Sequence, residues 1–113
     1  MESGVFVIIS VEEGIKRVVN NRSLYIRLLK SFKGREMVEQ IIRAAQKEEY
    51  KEGTGTCHAL RGTAANLAMH PLADITKKVE DRMAAGESPE DLLPSLKESI
   101  EEVEAAIAEI IKE

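Results

Sequence analysis

Disulfide chemistry is excluded by count. Cys57 is the only cysteine, so an intramolecular bridge cannot form, and the Cys/His clusters that hold zinc or iron–sulfur centres are missing. A reducing cytoplasm suits such a chain. Tryptophan is absent, aromatics number only two Tyr and two Phe, and there are three prolines. No stretch interleaves basic residues with aromatics, so nucleic acid is not an expected partner. The one sustained apolar run, Val5 to Ile9, has no basic flank and no small-residue cleavage site. It falls far short of the roughly 20 residues that span a bilayer, so a soluble, cytoplasmic protein with no membrane partner is expected.

What is present is material for helices. Ala, Leu, Ile, Glu and Lys dominate the 113 residues, which makes all-α the expected class. The length suits one domain, 1–113, with residues 1–9 as an N-terminal apolar segment and 10–112 as a helical bundle. Charge is uneven along it: residues 1–50 carry nine basic and seven acidic side chains, and residues 51–113 carry seven and thirteen. Such asymmetry can orient a partner, although charge runs such as Lys77-Lys78 and Glu98 to Glu104 read as solvated surface.

Ser10-Val11-Glu12-Glu13 reads as a capping box opening a short helix to about Val19. Asn20 and Asn21 supply the next cap, before Leu24, Tyr25, Leu28, Leu29 and Phe32 recur at helical spacing up to Gly34. Met37, Val38, Ile41, Ile42 and Ala45 continue the period, either as a separate helix or as a bent extension of the second. Tyr50, Cys57, Leu60, Ala64 and Leu67 mark a further helix. His70-Pro71 divides it from the next, which carries Leu72, Ile75, Val79 and Met83 and closes at Gly86. Ser88-Pro89-Glu90-Asp91 starts the last helix with a capping serine, a first-position proline and early acids. Leu92, Leu96, Ile100, Val103, Ile107 and Ile110 then keep to one face. The expected architecture is an up-down four-helix bundle with an extra short N-terminal helix, five to six helices in total. The Val5–Ile9 run is expected to pack on one end of the bundle, or else to form an exposed patch used in association.

On a helical wheel of about 100° per residue, His58 points away from the Cys57, Leu60, Ala64, Leu67 stripe and toward solvent. Cys57 falls on the inward side and reads as core rather than as a reactive thiol. His58's neighbours on its own face are Thr54, Gly55, Gly62 and Ala65, all small. An exposed helix face normally carries long polar side chains, and a mid-helix glycine costs about 1 kcal/mol relative to alanine. Something other than helix stability therefore selects Gly62. Small neighbours leave the imidazole clear and let another protein's active-site rim approach it. Arg61, offset by about 60°, can swing its guanidinium toward a phosphate on the ring. Imidazole is a nucleophile largely neutral near pH 7, and its phosphoramidate is labile enough to pass the group on. Asn66 can bond a phosphate, a partner backbone or water, while His70, before Pro71, reads as a helix boundary.

His58-Ala59-Leu60-Arg61-Gly62-Thr63-Ala64-Ala65-Asn66-Leu67 resembles the His-x-Leu-Lys-Gly signature of histidine-containing phosphotransfer (HPt) domains. Glu13-Gly14-Ile15 resembles the family's opening Glu-Gly-Leu, Asn21 to Tyr25 resembles its second-helix entry, and Tyr50 lies where an aromatic often begins the histidine helix. The resemblance spans roughly residues 10–112. It implies that His58 accepts and donates the phosphoryl group, that Arg61 replaces the usual lysine, and that Gly62 clears the ring. Ala68 departs from the pattern, standing where glycine often ends the helix. The implied partners are response-regulator receiver domains, a hybrid sensor histidine kinase, or both. No cofactor of the chain's own is implied, Mg²⁺ being supplied by the receiver.

A carrier without autonomous kinase activity is therefore expected. The alternative is an HPt-like module that binds receivers without carrying phosphate. A histidine kinase is excluded by the want of a glycine-rich ATP loop, and a metal-binding bundle by the want of Glu-x-x-His pairs. The small size and starting methionine favour a free-standing protein over a piece of a larger kinase.

Overall fold

The computed structural model describes residues 8–112, in which all regular structure is helical. The helices are α1 (Val11–Arg17), α2 (Arg22–Lys30), α3 (Gly34–Gln46), α4 (Tyr50–Asn66), α5 (His70–Ala84) and α6 (Leu93–Lys112). A 3₁₀ turn, Glu90–Leu92, leads into α6. The all-α expectation holds. The four long helices close a ring, α3 packing on α4, α4 on α5, α5 on α6 and α6 back on α3. Short connections make successive members antiparallel. Outside the ring α2 lies against α6, and α1 against α2.

The stripes read from spacing are the ones that meet inside. Leu29, Ile41, Leu60, Leu72, Val79, Leu96 and Val103 are all buried in one core. Ile9 is fully buried and Ile8 packs beside it, so this end of the apolar run covers the core; Val5 to Val7 lie outside the described residues. Tyr25 is buried too, and its hydroxyl donates to the Leu67 carbonyl at 2.9 Å, pinning α2 to the end of α4. Burial pushes that hydroxyl's pKa up to about 12, with the Glu13 carboxylate adding to the rise.

Four local expectations need correction. The capping box does not form, because the Ser10 backbone N–H donates instead to the Ala68 carbonyl at 2.9 Å. Glu13, released from that duty, pairs with His70 at 2.8 Å and Arg17 at 3.1 Å, so His70 ties α5 to α1 as well as marking a boundary. The first helix ends at Arg17 rather than near Val19. Leu28 leaves the buried stripe of α2 and is 37% exposed. Ser88 Oγ accepts from Glu90 N–H at 3.3 Å but does not cap the last helix, because Pro89 stands at the cap of a 3₁₀ turn and the α-helix opens only at Leu93. The open question after α2 resolves into a separate α3, since Ser31 to Lys33 break the helix. A Cβ on Gly34 would run into the ends of the Phe32 and Ile100 side chains, so any larger residue there must displace them.

Helix ends are built alike. After α1, α3, α4 and α5 the chain turns left-handed, at Val19 (φ 57°, with Asn20 following at 60°), Glu48 (58°), Ala68 (63°) and Gly86 (77°). The following N–H then reaches back across the last turn, to Ile15, Ala44, Ala64 and Arg82 respectively. This is the Schellman arrangement, which glycine adopts at least cost. Three of the four positions use side-chain-bearing residues, each carrying about 1–2 kcal/mol of left-handed strain.

Candidate functional site

α4 positions the site by dividing its residues between two environments. Cys57, Leu60, Ala64 and Leu67 are buried, as the wheel predicts, and turn the opposite side outward. There the His58 side chain is 74% exposed. Gly55 and Gly62, a turn to either side, are exposed, and a Cβ on either would meet no atom within 4 Å. Packing therefore gives no reason for glycine at these two positions. Thr54 and Ala65 are half-buried, and the Thr54 hydroxyl is turned back onto the Lys51 carbonyl at 2.8 Å, leaving the imidazole the outstanding group on the face.

Arg61 reaches His58, but it also has a second partner. Its Nη2 lies 3.1 Å from His58 Nδ1, and its Nε donates to Glu80 Oε1 at 2.9 Å. The other carboxylate oxygen of Glu80 is 3.7 Å from His58 Nδ1. Glu80 is the residue that sequence reasoning missed. The signal for it lies in topology: α4 and α5 are joined by three residues, so positions equally far from that turn face one another, and residue 58 falls opposite the stretch around 80. Glu80 is mostly covered, with 17% of its side chain exposed. Both charges reach through to Cys57, whose thiol is pushed up to about 12 by burial, with Glu80 adding to the rise and Arg61 opposing it. That thiol is no nucleophile at neutral pH.

Asn66 is exposed and lies apart from the imidazole, farther along α4, where with Thr63 and Leu67 it lines a groove of about 450 Å³. Leu28, Phe32 and Met37 form its apolar wall and Lys33 its rim. Among the described residues no group of three or more His, Cys, Asp or Glu is placed to hold a metal ion. None of the described helices is long and apolar enough to cross a membrane.

An imidazole thus stands clear of a helical bundle, with a guanidinium beside it and small residues around it. A family model for the Hpt domain matches residues 32–106, and the chain belongs to that family. The match takes in α3, α4, α5 and most of α6, including His58, Arg61 and Glu80; α1 and α2 precede it. No curated protein and no solved structure matches the chain. Family membership assigns the coarse role, histidine phosphotransfer in phosphorelays.

Proposed function

We propose that the protein is a phosphorelay carrier, accepting a phosphoryl group on His58 from the phosphoaspartate of one receiver domain and passing it to the aspartate of another. The exposure of His58 between two glycines with open space about them carries this reading. Nδ1 is turned toward Arg61 and Glu80, so Nε2, the outward nitrogen of the exposed ring, is the one that attacks once it is free of its proton. Its lone pair forms the N–P bond as the acyl P–O bond breaks, and the receiver's carboxylate leaves with the electron pair. The reverse step discharges the carrier. Transfer of this kind depends on in-line placement and charge neutralisation rather than on covalent assistance. Mg²⁺ and a lysine of the receiver supply most of that neutralisation, and Arg61 supports it from the carrier's side. Thr54, Gly55, Gly62 and Ala65 form the close-approach surface, and the groove reaching Asn66 extends it toward α2. The partners are receivers, free or within a hybrid sensor kinase, in the cytoplasm.

The test is incubation with a phosphorylated receiver and Mg²⁺, following acid-labile, base-stable phosphate on the wild type and on His58→Gln. Label on the wild type that vanishes in the variant is the expected result. Binding to receivers with no label on either protein would overturn the carrier reading in favour of a non-phosphorylated interaction module.

A further inference from the structure

Glu80 and Arg61 make opposite demands on one ring nitrogen. A guanidinium is a donor only, so Arg61 Nη2 at 3.1 Å from His58 Nδ1 requires a lone pair on Nδ1. The proton of the neutral ring then sits on Nε2, the solvent-facing nitrogen, whose lone pair is thereby occupied. An ionised carboxylate only accepts, so Glu80 Oε2 requires the other tautomer, with the proton on Nδ1 and Nε2 free. At 3.7 Å that oxygen is beyond hydrogen-bond range, and the structure is therefore in the first arrangement.

We infer that Arg61 holds His58 in the tautomer that cannot attack. An incoming phosphoryl group, by drawing the guanidinium onto its oxygens, hands Nδ1 to Glu80 and frees Nε2. The inference rests on the carrier reading and names Arg61 and Glu80 as positioning residues for it. Guanidinium prefers the paired oxygens of a phosphate to a single ring nitrogen, which supplies the direction of the exchange. As Arg61 leaves, Glu80 loses its partner and accepts from Nδ1–H, the ring proton passing from Nε2 to Nδ1 through solvent at this exposed site. Nε2 then attacks phosphorus, the acyl P–O bond breaks, and its electron pair departs on the receiver's carboxylate. The Nδ1 proton stays, so the phosphorylated ring carries a positive charge that the Glu80 carboxylate faces. When the next aspartate takes the phosphoryl group, the N–P electrons return to Nε2, the ring proton passes back from Nδ1 to Nε2 through solvent, and Arg61 returns to Nδ1. The resting ring thus favours the Nε2–H tautomer, and phosphate shifts it toward the one that attacks.

The tautomer can be read directly from long-range ¹H–¹⁵N spectra of the His58 ring at a pH where it is neutral, in a His70→Gln background that removes the only other imidazole. The wild type should show mainly Nε2–H. Arg61→Met should move the ratio toward Nδ1–H by about 2- to 12-fold, the range one net hydrogen bond commands. Arg61→Lys, which keeps a donor, should restore the wild-type pattern. Inorganic phosphate should shift the wild type toward Nδ1–H and leave Arg61→Met unmoved. Equal ratios in wild type and Arg61→Met, or an equal response of both to phosphate, would overturn the inference. Receiver-dependent labelling of the same samples separates the two readings. Label on a wild type whose tautomer ignores Arg61 leaves the carrier standing and removes the switch. A switching tautomer on a chain that no receiver labels overturns the carrier reading and the gating with it.

Discussion

The two sides of α4 contain the same residue for opposite reasons. On the inward side a Cβ at Gly53 would meet Met83 Cε at 2.8 Å and Sδ at 2.9 Å, with the Ala44 Cβ at 3.3 Å, so glycine there is the condition of close packing. On the outward side Gly55 and Gly62 face open space and are dispensable to the fold. A glycine that packing does not require, kept in mid-helix at a cost of about 0.5–1 kcal/mol, points to something that arrives from outside. On the carrier reading proposed above, the contrast marks the surface a receiver would approach.

One substitution made on both sides tests that contrast most severely. Gly53→Ala should destabilise by about 1–2 kcal/mol, since the methionine end can give way but the alanine Cβ cannot. A melting-temperature fall of about 4–8 °C per kcal/mol, with normal phosphotransfer from the folded fraction, is the expected pattern. Gly62→Ala should do the reverse, raising stability by about 0.5–1 kcal/mol while slowing transfer from a receiver. Calorimetry beside a labelling time course would show both, and a stabilised variant with unchanged transfer would break the comparison.

Away from α4 the effects shrink. Glu48→Gly should gain about 0.5 kcal/mol, relief of left-handed strain being partly offset by the flexibility of glycine in the unfolded chain. Denaturant titration should show a raised midpoint at unchanged slope. Smallest of all is the Arg35–Glu104 pair, whose two hydrogen bonds of 2.7 Å tie α3 to α6 at the surface. Arg35 holds the Glu104 carboxyl below its ordinary pKa, so the pair's contribution is present above the unfolded-state value and is lost as pH falls through the lower folded one. Arg35→Gln should therefore cost a little stability near neutral pH and nothing in strong acid or high salt, as melting curves across pH would show.

The parts legible in sequence were those set by one helix's own period. The wheel of α4 places Cys57, Leu60, Ala64 and Leu67 inward and His58 outward, and the last helix turns Leu96, Ile100, Val103 and Ile110 to the core. What sequence could not show was competition between elements. Ser10 and Glu13 have the spacing of a capping box, yet Ala68 and His70, distant in sequence, take their hydrogen bonds. Glu80 carries no local mark, because one acid on a charged helix looks like any other until α5 is laid beside α4. Gly53 reads as a weakness in a helix while the Met83 and Ala44 that require it are unseen. The left-handed turns at Val19 and Glu48 were hidden likewise, since neither is glycine, whereas Ala68 was marked only by standing where the family often has glycine.

The chain's single thiol gives the molecule an internal clock for its own opening. Cys57 is fully buried one residue from the imidazole, and its proton is held to about pH 12. An alkylating reagent therefore reaches it only when the bundle parts around α4. Where reclosing outruns the reagent, the rate of modification is proportional to the open population, so the free energy of opening is readable without denaturant. With one sulfhydryl per chain the signal is a single exponential, and every variant above retains it.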